Sequence, residues 1–487
     1  MRPVLRSGIP AMFFAAAASG ATFTVINTSD SGAGSLRQAI TDANGSAGPH
    51  TIAFAIPGSD SGCDGSGICT IHPASPLPAL DVTTTVDGYT QAGALANSAS
   101  QGSNAVLKVV LDGGGNGAFD GLTLTGGGCT VKGLVITNGF ANGVEVTDDT
   151  VVHIEGCFFG TDAAGILPLA NSIDVNLDGG SALGVVGGPA LAQRNLIGPA
   201  LRGISTHGDG VVIQNNLIGV DATGTGTPAA VAGSFGIWFE SCPGIAAPSS
   251  ILGNLVGGFT NVGIVLFCDG TIVKGNLIGV DATGAVAIPA PSEGINVTNP
   301  ATIGGTAAGD GNVITGTTTG VRVSFTTAAA TIRGNSIFGN QGLGIDVFLG
   351  GPTANDPNES DGAQNFPLLK SVTTGATTHV VGVLHSSAST TFDIDFYASP
   401  ACTNLPRDLD EGKTYLGAAP VTTNASGDAD IDTTLPVATE AGARITMTAT
   451  SRDSGKTSEF SHRLPFATDV RIFLSWHGTL LGNTLSK

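Results

Sequence analysis

The stretch "NNLIGVDATG" (Asn215–Gly224) returns almost unchanged as "GNLIGVDATG" (Gly275–Gly284), and a diverged copy, "GCFFGTDAAG" (Gly156–Gly165), precedes both. The aspartates of the three copies lie 59 and 60 residues apart. A sequence that recurs at a nearly fixed interval is typical of proteins built from stacked structural repeats. The stretch therefore predicts a repeat array, in which its aspartates are either turn residues or site residues.

A shorter period runs through the same region, where alternating four-residue runs recur at intervals of 24 to 33 residues. These runs are GVEV at Gly143, SIDV at Ser172, GIST at Gly203, GIWF at Gly236, GIVL at Gly263, GINV at Gly294, GVRV at Gly320 and GIDV at Gly344. Strict alternation over this length is a strand signal. Two further short apolar runs follow each of them. Three strands per interval, separated by glycine-rich corners, predict the coils of a parallel β-helix, which must stack to bury their apolar faces.

Stacking would place equivalent side chains in columns. One inward column would contain Ile204, Ile237, Ile264, Ile295, Val321 and Ile345. Full burial of such a side chain stabilises the fold by about 1.5–3 kcal/mol. A corner column would contain Asn195, Asn216, Asn254, Asn276, Asn312 and Asn335. Stacked amides can hydrogen-bond along the axis, so we interpret these asparagines as an internal ladder and not as catalytic residues.

The repeated aspartates Asp162, Asp221 and Asp281 stand in G-x-D-A-x-G segments that open loops of variable length. Aspartate bonds readily to its own backbone and glycine accepts positive φ, so the pattern favours turns. The alternative is a row of Ca²⁺ ligands. Two coils at about 4.8 Å each separate the carboxylates by about 10 Å, too far to share one ion. We therefore interpret them as turn residues.

Composition supports turn-dense β structure. The chain has 487 residues, of which 73 are glycine, and only 12% are charged. The formal net charge of −19 would repel a phosphate backbone, which argues against nucleic acid as a partner. Anionic pectin-like polymers would need a bridging cation.

The N-terminal residues 1–21 resemble a signal peptide. Arg2 and Arg6 precede an apolar stretch, Ile9–Ala18, and small residues follow. The alternative interpretation is a buried first strand. No later segment reaches the roughly 18 uninterrupted apolar residues of a membrane span. We expect an exported protein that is secreted or lies on the bacterial cell surface.

Seven cysteines fit such a compartment only in part. Cys63 and Cys69 flank a tight loop that a disulfide could close. Cys242 and Cys268 would fall one above the other on adjacent coils, either as a disulfide or as two stacked thiols. An odd count leaves at least one thiol unpaired.

The segment "VINTSDSGAGSLRQAITDAN" (Val25–Asn44) resembles the first segment of secreted bacterial proteins named for a Cys-Ser-Leu-Arg-Glu-Ala motif. Here the motif reads GSLRQA, with Gly34 and Gln38 in place of Cys and Glu. Further matches are IAFAIPG (Ile52–Gly58), PLPAL (Pro76–Leu80), VDGYTQAG (Val86–Gly93), the NLIGVDATG units and GNSIFGNQGLGIDV (Gly334–Val347). The resemblance implies a right-handed parallel β-helix of the pectin-lyase-like superfamily. It implies architecture more than activity, because most members are uncharacterised.

We expect an all-β chain divided into successive segments. After the signal peptide, residues 22–120 would form a cap and the first coils, with a short amphipathic helix in SLRQAITDAN. Residues 121–349 would form the β-helix repeats and residues 350–369 a polar linker. Hairpin-like alternation over 370–465 predicts a small antiparallel β-sandwich. Residues 466–487 match neither domain and form an atypical tail.

A candidate catalytic cluster follows from the resemblance, since β-helix lyases and hydrolases use one outer face of the central coils. Such a face would bring together Asp148, Asp149, Arg202, His207 and Asp209. Paired carboxylates could serve as acid and base, and Arg202 could neutralise substrate charge. The alternative is structural, because these aspartates stand where turns are needed and the Gly-His-Gly and Arg-x-Lys motifs of polygalacturonase-like members are missing.

The predicted linker offers a candidate calcium site. In NDPNESDG the oxygen-bearing side chains of Asp356, Asn358, Ser360 and Asp361 could bind Ca²⁺ and stiffen the junction. The glycine stands one position late for an EF-hand. The alternative is an ordinary solvated linker.

These features favour a non-catalytic binding, adhesion or structural module directed at polysaccharide or a cell-surface glycan. The long repeated face and the scarcity of convergent titratable groups are the reasons. The second hypothesis is a polysaccharide lyase or glycoside hydrolase acting on the outer face of the central coils.

Overall fold

The computed structural model describes residues 20–115, 117–147, 151–179, 183–228, 234–240, 242, 247–325, 328–348, 351–400 and 411–461. The predicted signal peptide and tail fall almost entirely outside these residues. Within them the chain forms a parallel β-helix with three long sheets, followed by two small antiparallel sheets. No helix in this part of the chain is long and apolar enough to cross a membrane.

From Thr84 onward each coil contributes one strand to each long sheet, whereas the first two coils contribute strands to the first sheet, or to the first and second, alone. The eleven strands of the first sheet are Thr22–Val25, His50–Phe54, Thr84–Asp87, Thr130–Lys132, His153–Glu155, Val185–Gly187, Val212–Gln214, Ser250–Leu252, Thr271–Lys274, Ala301–Gly304 and Ala330–Arg333. The ten of the second are Cys69–Ile71, Val109–Asp112, Val135–Thr137, Phe158–Phe159, Leu196–Ile197, Leu217–Ile218, Leu255–Val256, Leu277–Ile278, Val313–Ile314 and Ser336–Ile337. The nine of the third are Leu122–Leu124, Asn142–Val146, Ile173–Leu177, Arg202–Thr206, Phe235–Phe239, Val262–Leu266, Glu293–Val297, Thr319–Val323 and Ile345–Val347. The predicted parallel β-helix is thereby confirmed.

The inward isoleucine column forms as predicted. In the third sheet Ile204 pairs with Ile237, which pairs with Ile264 and then Ile295, and all four side chains are completely buried. A glycine precedes each of these residues because the coils approach closely there. A Cβ at Gly203 would lie 2.8 Å from the carbonyl oxygen of Gly236 in the next coil. The recurring isoleucines therefore mark the core, and the glycines before them mark where adjacent coils approach closely.

The predicted asparagine ladder is confirmed along its whole length. Each side-chain amide donates to the side-chain oxygen of the next asparagine, at 2.8–3.0 Å from Asn195 through Asn335. Each amide also donates to a backbone carbonyl oxygen of the first-sheet strand in the preceding coil, as Asn254 Nδ2 does to Ile213 O at 2.9 Å. The corner is thus fully hydrogen-bonded although it is buried, as buried amides require.

The repeated aspartates form turns, as predicted. Asp281 Oδ1 accepts hydrogen bonds from the backbone N–H of Thr283 and Val286, both at 3.2 Å. The three loops also stack directly, since Ala222 N donates to Gly165 O at 2.8 Å and Ala282 N to Gly224 O at 2.9 Å. These loops cover the apolar outer face of the second sheet. The result is a second apolar layer outside the solenoid core, and the strand pattern alone does not predict it. Its buried residues include Val135, Phe158, Leu196, Leu217 and Leu255.

The one α-helix of the described residues, α1 (Leu36–Asn44), lies at the N-terminal end of the solenoid as expected. Ser35 caps it, with its hydroxyl accepting from Gln38 N at 3.2 Å. Leu36, Ala39, Ile40 and Ala43 face inward and join the core of the first coils. Three short 3₁₀ segments are also present, at Gly88–Thr90, Leu191–Gln193 and Pro357–Glu359.

Cys63 and Cys69 form the disulfide that their loop allows, and Cys242 and Cys268 form a disulfide and not two stacked thiols. Cys129 and Cys157 are free and buried, and Cys402 lies outside the described residues. The second bridge joins two successive coils at the end of the third sheet. It therefore fastens adjacent coils beside the strands that carry the site described below.

The sandwich consists of two three-stranded antiparallel sheets. Leu368–Thr373, Thr378–His385 and Asp428–Leu435 form one, and Thr414–Thr422, Thr391–Ser399 and Arg444–Ser451 form the other. Its own core includes Phe392, Phe396 and Met447. The segment before it is not simply solvated, because Gln364 and Asn365 are buried.

The sandwich covers the last coil of the solenoid through charged contacts. Arg333 donates to both carboxylate oxygens of the buried Asp395, at 2.7 and 2.8 Å, and to Asp393 at 2.8 Å. Glu459 accepts the backbone N–H groups of Val347 and Thr353, each at 3.0 Å. These contacts satisfy polar groups that the end of a solenoid would otherwise leave exposed.

Candidate functional site

The outer face of the third sheet carries a group of polar and aromatic side chains from neighbouring coils. Along each strand, residues alternate between the core and this face. Ile204 and Thr206 point inward, so Ser205 and the following His207 point outward. The register stacks Glu145, Asn176, Ser205 and Trp238 in one outward column.

A chain of charged groups runs across three coils of this face. Arg202 forms an ion pair with Glu240. The other carboxylate oxygen of Glu240 lies 2.7 Å from His207 Nε2, and His207 Nδ1 lies 2.8 Å from Asp178 Oδ1. Although these two atoms are close, His207 Nδ1 makes no hydrogen bond with Asp178. The imidazole thus bridges two carboxylates from different coils.

An aromatic group lies beside this chain. The guanidinium of Arg202 lies 4.6 Å from the centre of the Trp238 ring, a cation–π distance. Phe235 packs edge-on against Trp238 at 4.4 Å, and Phe267 lies 5.7 Å from it on the next coil. Burial among these groups lowers the pKa of Arg202 below its ordinary value, although the residue remains a cation near neutral pH. The three rings are half-buried and form a platform with polar groups at its edge.

Glu145 lies further along the same face and has an unusual environment. It is only 6% exposed, and its Oε2 accepts a hydrogen bond from Asn176 Nδ2 at 2.8 Å. Burial, together with the smaller effects of the nearby carboxylates Asp120 and Asp178, raises the pKa of Glu145 to about 7 against the opposing effect of the Asn176 hydrogen bond. A carboxyl group with this pKa can both give and take a proton near neutral pH.

The structure brings together only some of the predicted catalytic residues. Arg202 and His207 come together through Glu240, whereas Asp209 lies in the connection to the first sheet and is 6% exposed. Asp148 and Asp149 lie outside the described residues. The role of this cluster in catalysis stays a prediction.

Sequence reasoning missed four residues of this face: Glu145, Asp178, Trp238 and Glu240. One signal could have found two of them. Asp178 and Glu240 follow the glycine position of their strands by four residues, as His207 does. Equal offsets from the glycine column place side chains in one outward column, which is where the structure has them.

The candidate calcium loop is folded onto itself. Asp356 accepts hydrogen bonds from the hydroxyl of Ser360 and from the backbone N–H of Asp361, the latter at 3.1 Å. Asp361 Oδ1 accepts from Ala363 N at 2.8 Å. Among the described residues no three His, Cys, Asp or Glu side chains are grouped to hold a metal. The side chain of Asn358 lies outside the described residues, and calcium binding by Asp356, Asn358, Ser360 and Asp361 stays a prediction.

Comparison with known proteins does not identify a family. No protein-family model matches the chain, and no curated protein matches it. Among solved structures, the Dettilon tailspike protein is similar with a TM-score of 0.24 and 11% identity, covering 88% of this chain and 90% of that one.

Two further similar structures are both described as tailspike protein 2 of a bacteriophage. Full-length tailspike protein 2 from Escherichia coli O157:H7 bacteriophage CAB120 has a TM-score of 0.22 and 8% identity, covering 91% of this chain and 69% of its own. The enzymatically active domain of bacteriophage CBA120 tailspike protein 2 has a TM-score of 0.23 and 13% identity, covering 92% and 73%. Because these scores are low, the fold assignment rests on the strand pairing itself.

Proposed function

We propose that this chain is a non-catalytic module that binds polysaccharide on the outer face of its third sheet. The observation that supports the proposal is the position of Trp238, between two further rings and beside the Arg202–Glu240–His207 chain. Sugar rings present apolar C–H faces that pack on aromatic rings and hydroxyls that exchange hydrogen bonds with charged groups. Binding sites for such ligands combine apolar surface with a few placed polar groups.

Export belongs to the same proposal. The resemblance of Val25–Asn44 to the first segment of secreted bacterial β-helix proteins supports it, as does the apolar N-terminal stretch. Two disulfides in a chain of this size are also typical of an oxidising compartment. In this setting the module would act in adhesion to a glycan surface or as a structural element of the cell exterior.

Binding of the whole chain to a polysaccharide panel, measured by affinity electrophoresis, tests the proposal. Trp238→Ala should weaken binding to the recognised polymer at least tenfold, because it removes the centre of the platform. Leu167→Ala is the matched control, since Leu167 is 61% exposed at the tip of a loop over the second sheet. Equal affinities of the Trp238 variant and the parent chain would overturn the proposal.

A second candidate is a glycoside hydrolase or polysaccharide lyase on the same face. The specific observation in its favour is Glu145, whose pKa of about 7 suits a proton donor, near the carboxylate of Asp178. In this scheme Glu145 would protonate the leaving oxygen and Asp178 would act as the base. Release of reducing ends or unsaturated uronates, assayed with and without Ca²⁺ and lost in Glu145→Gln, would favour this candidate over simple binding.

A further inference from the structure

The charges on the outer face of the third sheet are unequal. Among the described residues of this face and its N-terminal edge, the acidic side chains are Asp120, Glu145, Asp178, Glu240, Glu293 and Asp346. The basic ones are Arg202, His207 and Arg322. Even without Glu145, whose pKa is raised by burial, the carboxylates of this face outnumber its arginines by more than two to one.

Both arginines are already committed to carboxylates of the chain. Arg202 is paired with Glu240 and lies over the Trp238 ring. Arg322 Nε lies 2.9 Å from Glu293 Oε1, and its Nη2 lies 3.8 Å from Asp346 Oδ2. A carboxylate on a ligand would have to displace one of these internal partners before it could reach a guanidinium.

The acceptors, in contrast, are accessible where the platform ends. The side chain of Asp178 is 52% exposed, although it also contacts His207. Glu240 is 29% exposed, and its two carboxylate oxygens also contact Arg202 and His207. Carboxylate oxygens accept hydrogen bonds and cannot donate them when ionised, so they match the hydroxyl groups of a sugar. They repel another carboxylate.

We infer that this face selects uncharged polysaccharides and rejects carboxylated ones. The inference rests on the proposed binding function and adds the chemical class of the ligand. The overall charge of −19 acts in the same direction at longer range. The ring platform of Trp238, Phe235 and Phe267 provides the attraction, and the surrounding carboxylates provide the discrimination.

Matched polymer pairs test this selection on the whole chain. Suitable pairs are methyl-esterified and de-esterified homogalacturonan, dextran and carboxymethyl dextran, and hydroxyethyl and carboxymethyl cellulose. Within a recognised pair, the uncharged member should bind at least tenfold more tightly at low ionic strength. The ratio should shrink as salt is added, because the screening length falls to about 8 Å at 0.15 M.

A charge-neutralising pair of variants locates the discrimination. Asp178→Asn should reduce the preference at least threefold by improving binding of the acidic polymer. Asp432→Asn is the matched control, because Asp432 lies 2.8 Å from His379 on the sandwich, as Asp178 does from His207. The control should leave the preference unchanged.

These experiments distinguish a failure of the selectivity from a failure of polysaccharide binding itself. An acidic polymer that binds as tightly as its uncharged partner, or more tightly, overturns the selection and leaves polysaccharide binding intact. Equal effects of the Asp178 and Asp432 variants overturn the assignment of selectivity to this face. Failure of all six polymers to bind overturns the proposed function together with this inference.

Discussion

The guanidinium of Arg202 lies 4.6 Å from the ring centre of Trp238, although 36 residues separate them along the chain. They meet because Arg202–Thr206 and Phe235–Phe239 are adjacent parallel strands in fixed register. The length of the connection between the two strands does not change this register. Proximity on this face is therefore set by stacking of coils, and residues from neighbouring coils can act on one ligand.

The asparagine ladder should be a major source of stability. Asn254→Ala removes the acceptor of Asn216 Nδ2 and the donor to Asn276 Oδ1, which leaves buried polar groups without partners. We expect the free energy of unfolding in urea to fall by about 3 kcal/mol. Asn299→Ala, which removes a part-buried bond to Asp269, should cost about 1 kcal/mol. Similar losses in the two variants would contradict a special role for the ladder.

The junction between solenoid and sandwich should depend on Arg333. Arg333→Ala leaves Asp395, whose side chain is completely buried, without its counter-charge. Removing one partner of a buried ion pair costs about 3–5 kcal/mol. We expect a lower melting temperature and faster proteolysis between the two domains. Arg452→Ala is the control. Arg452 also pairs with Asp393, but its side chain is 52% exposed, so its loss should have little effect. A junction equally resistant in both variants would contradict this assignment.

Stability should decrease as pH rises through neutrality. Burial raises the pKa of Glu459 to about 7, and burial likewise raises that of Glu145 to about 7. A carboxyl whose pKa is raised by folding stabilises the protein below its unfolded pKa, and this contribution is lost as pH rises through the folded pKa. Each group should therefore lower the unfolding free energy by about 1–3 kcal/mol between about pH 5 and 8.

The variant Glu459→Gln isolates one of these contributions. It should flatten the dependence of unfolding free energy on pH over that range, since glutamine does not titrate. Glu440→Gln, at an exposed carboxyl of the sandwich, serves as the control. An unchanged pH slope in the Glu459 variant would show that its carboxyl titrates normally.

Calcium at the linker is tested by thermal unfolding. If Asp356, Asn358, Ser360 and Asp361 bind Ca²⁺, millimolar Ca²⁺ should raise the melting temperature, because a ligand of the folded state stabilises it. The double variant Asp356→Asn and Asp361→Asn should abolish that shift. A melting temperature that does not respond to Ca²⁺ in the parent chain would dismiss the site.

The sequence predicts the architecture well because every coil has the same structural requirements. Glycine, isoleucine and asparagine recur wherever close approach, core burial and corner hydrogen bonding recur, so Ile237 and Asn254 could be placed without a structure. Asp174 shows the limit of this reasoning. It stands at the position of the glycine column, is completely buried, and accepts from Asn171 at 2.9 Å, while burial raises its pKa well above the usual range.

The site was harder to predict than the core. Outward residues are not constrained to one chemical type, so Asp178, His207 and Glu240 share a column without sharing an identity. Loops of different length between strands also obscure which coils are neighbours. The register has to be counted from the glycine position and not along the chain, and this count is what places Glu240 beside His207.

The stacking of the three aspartate loops has a consequence for how such a chain can change in length. Loop contacts pass from one copy to the next through backbone groups, Gly165 to Ala222 and Gly224 to Ala282. Excision or duplication of one 60-residue copy would bring equivalent surfaces together again. The molecule can therefore be shortened or extended by whole copies, shifting the distance between its two capped ends while the interior pattern is preserved.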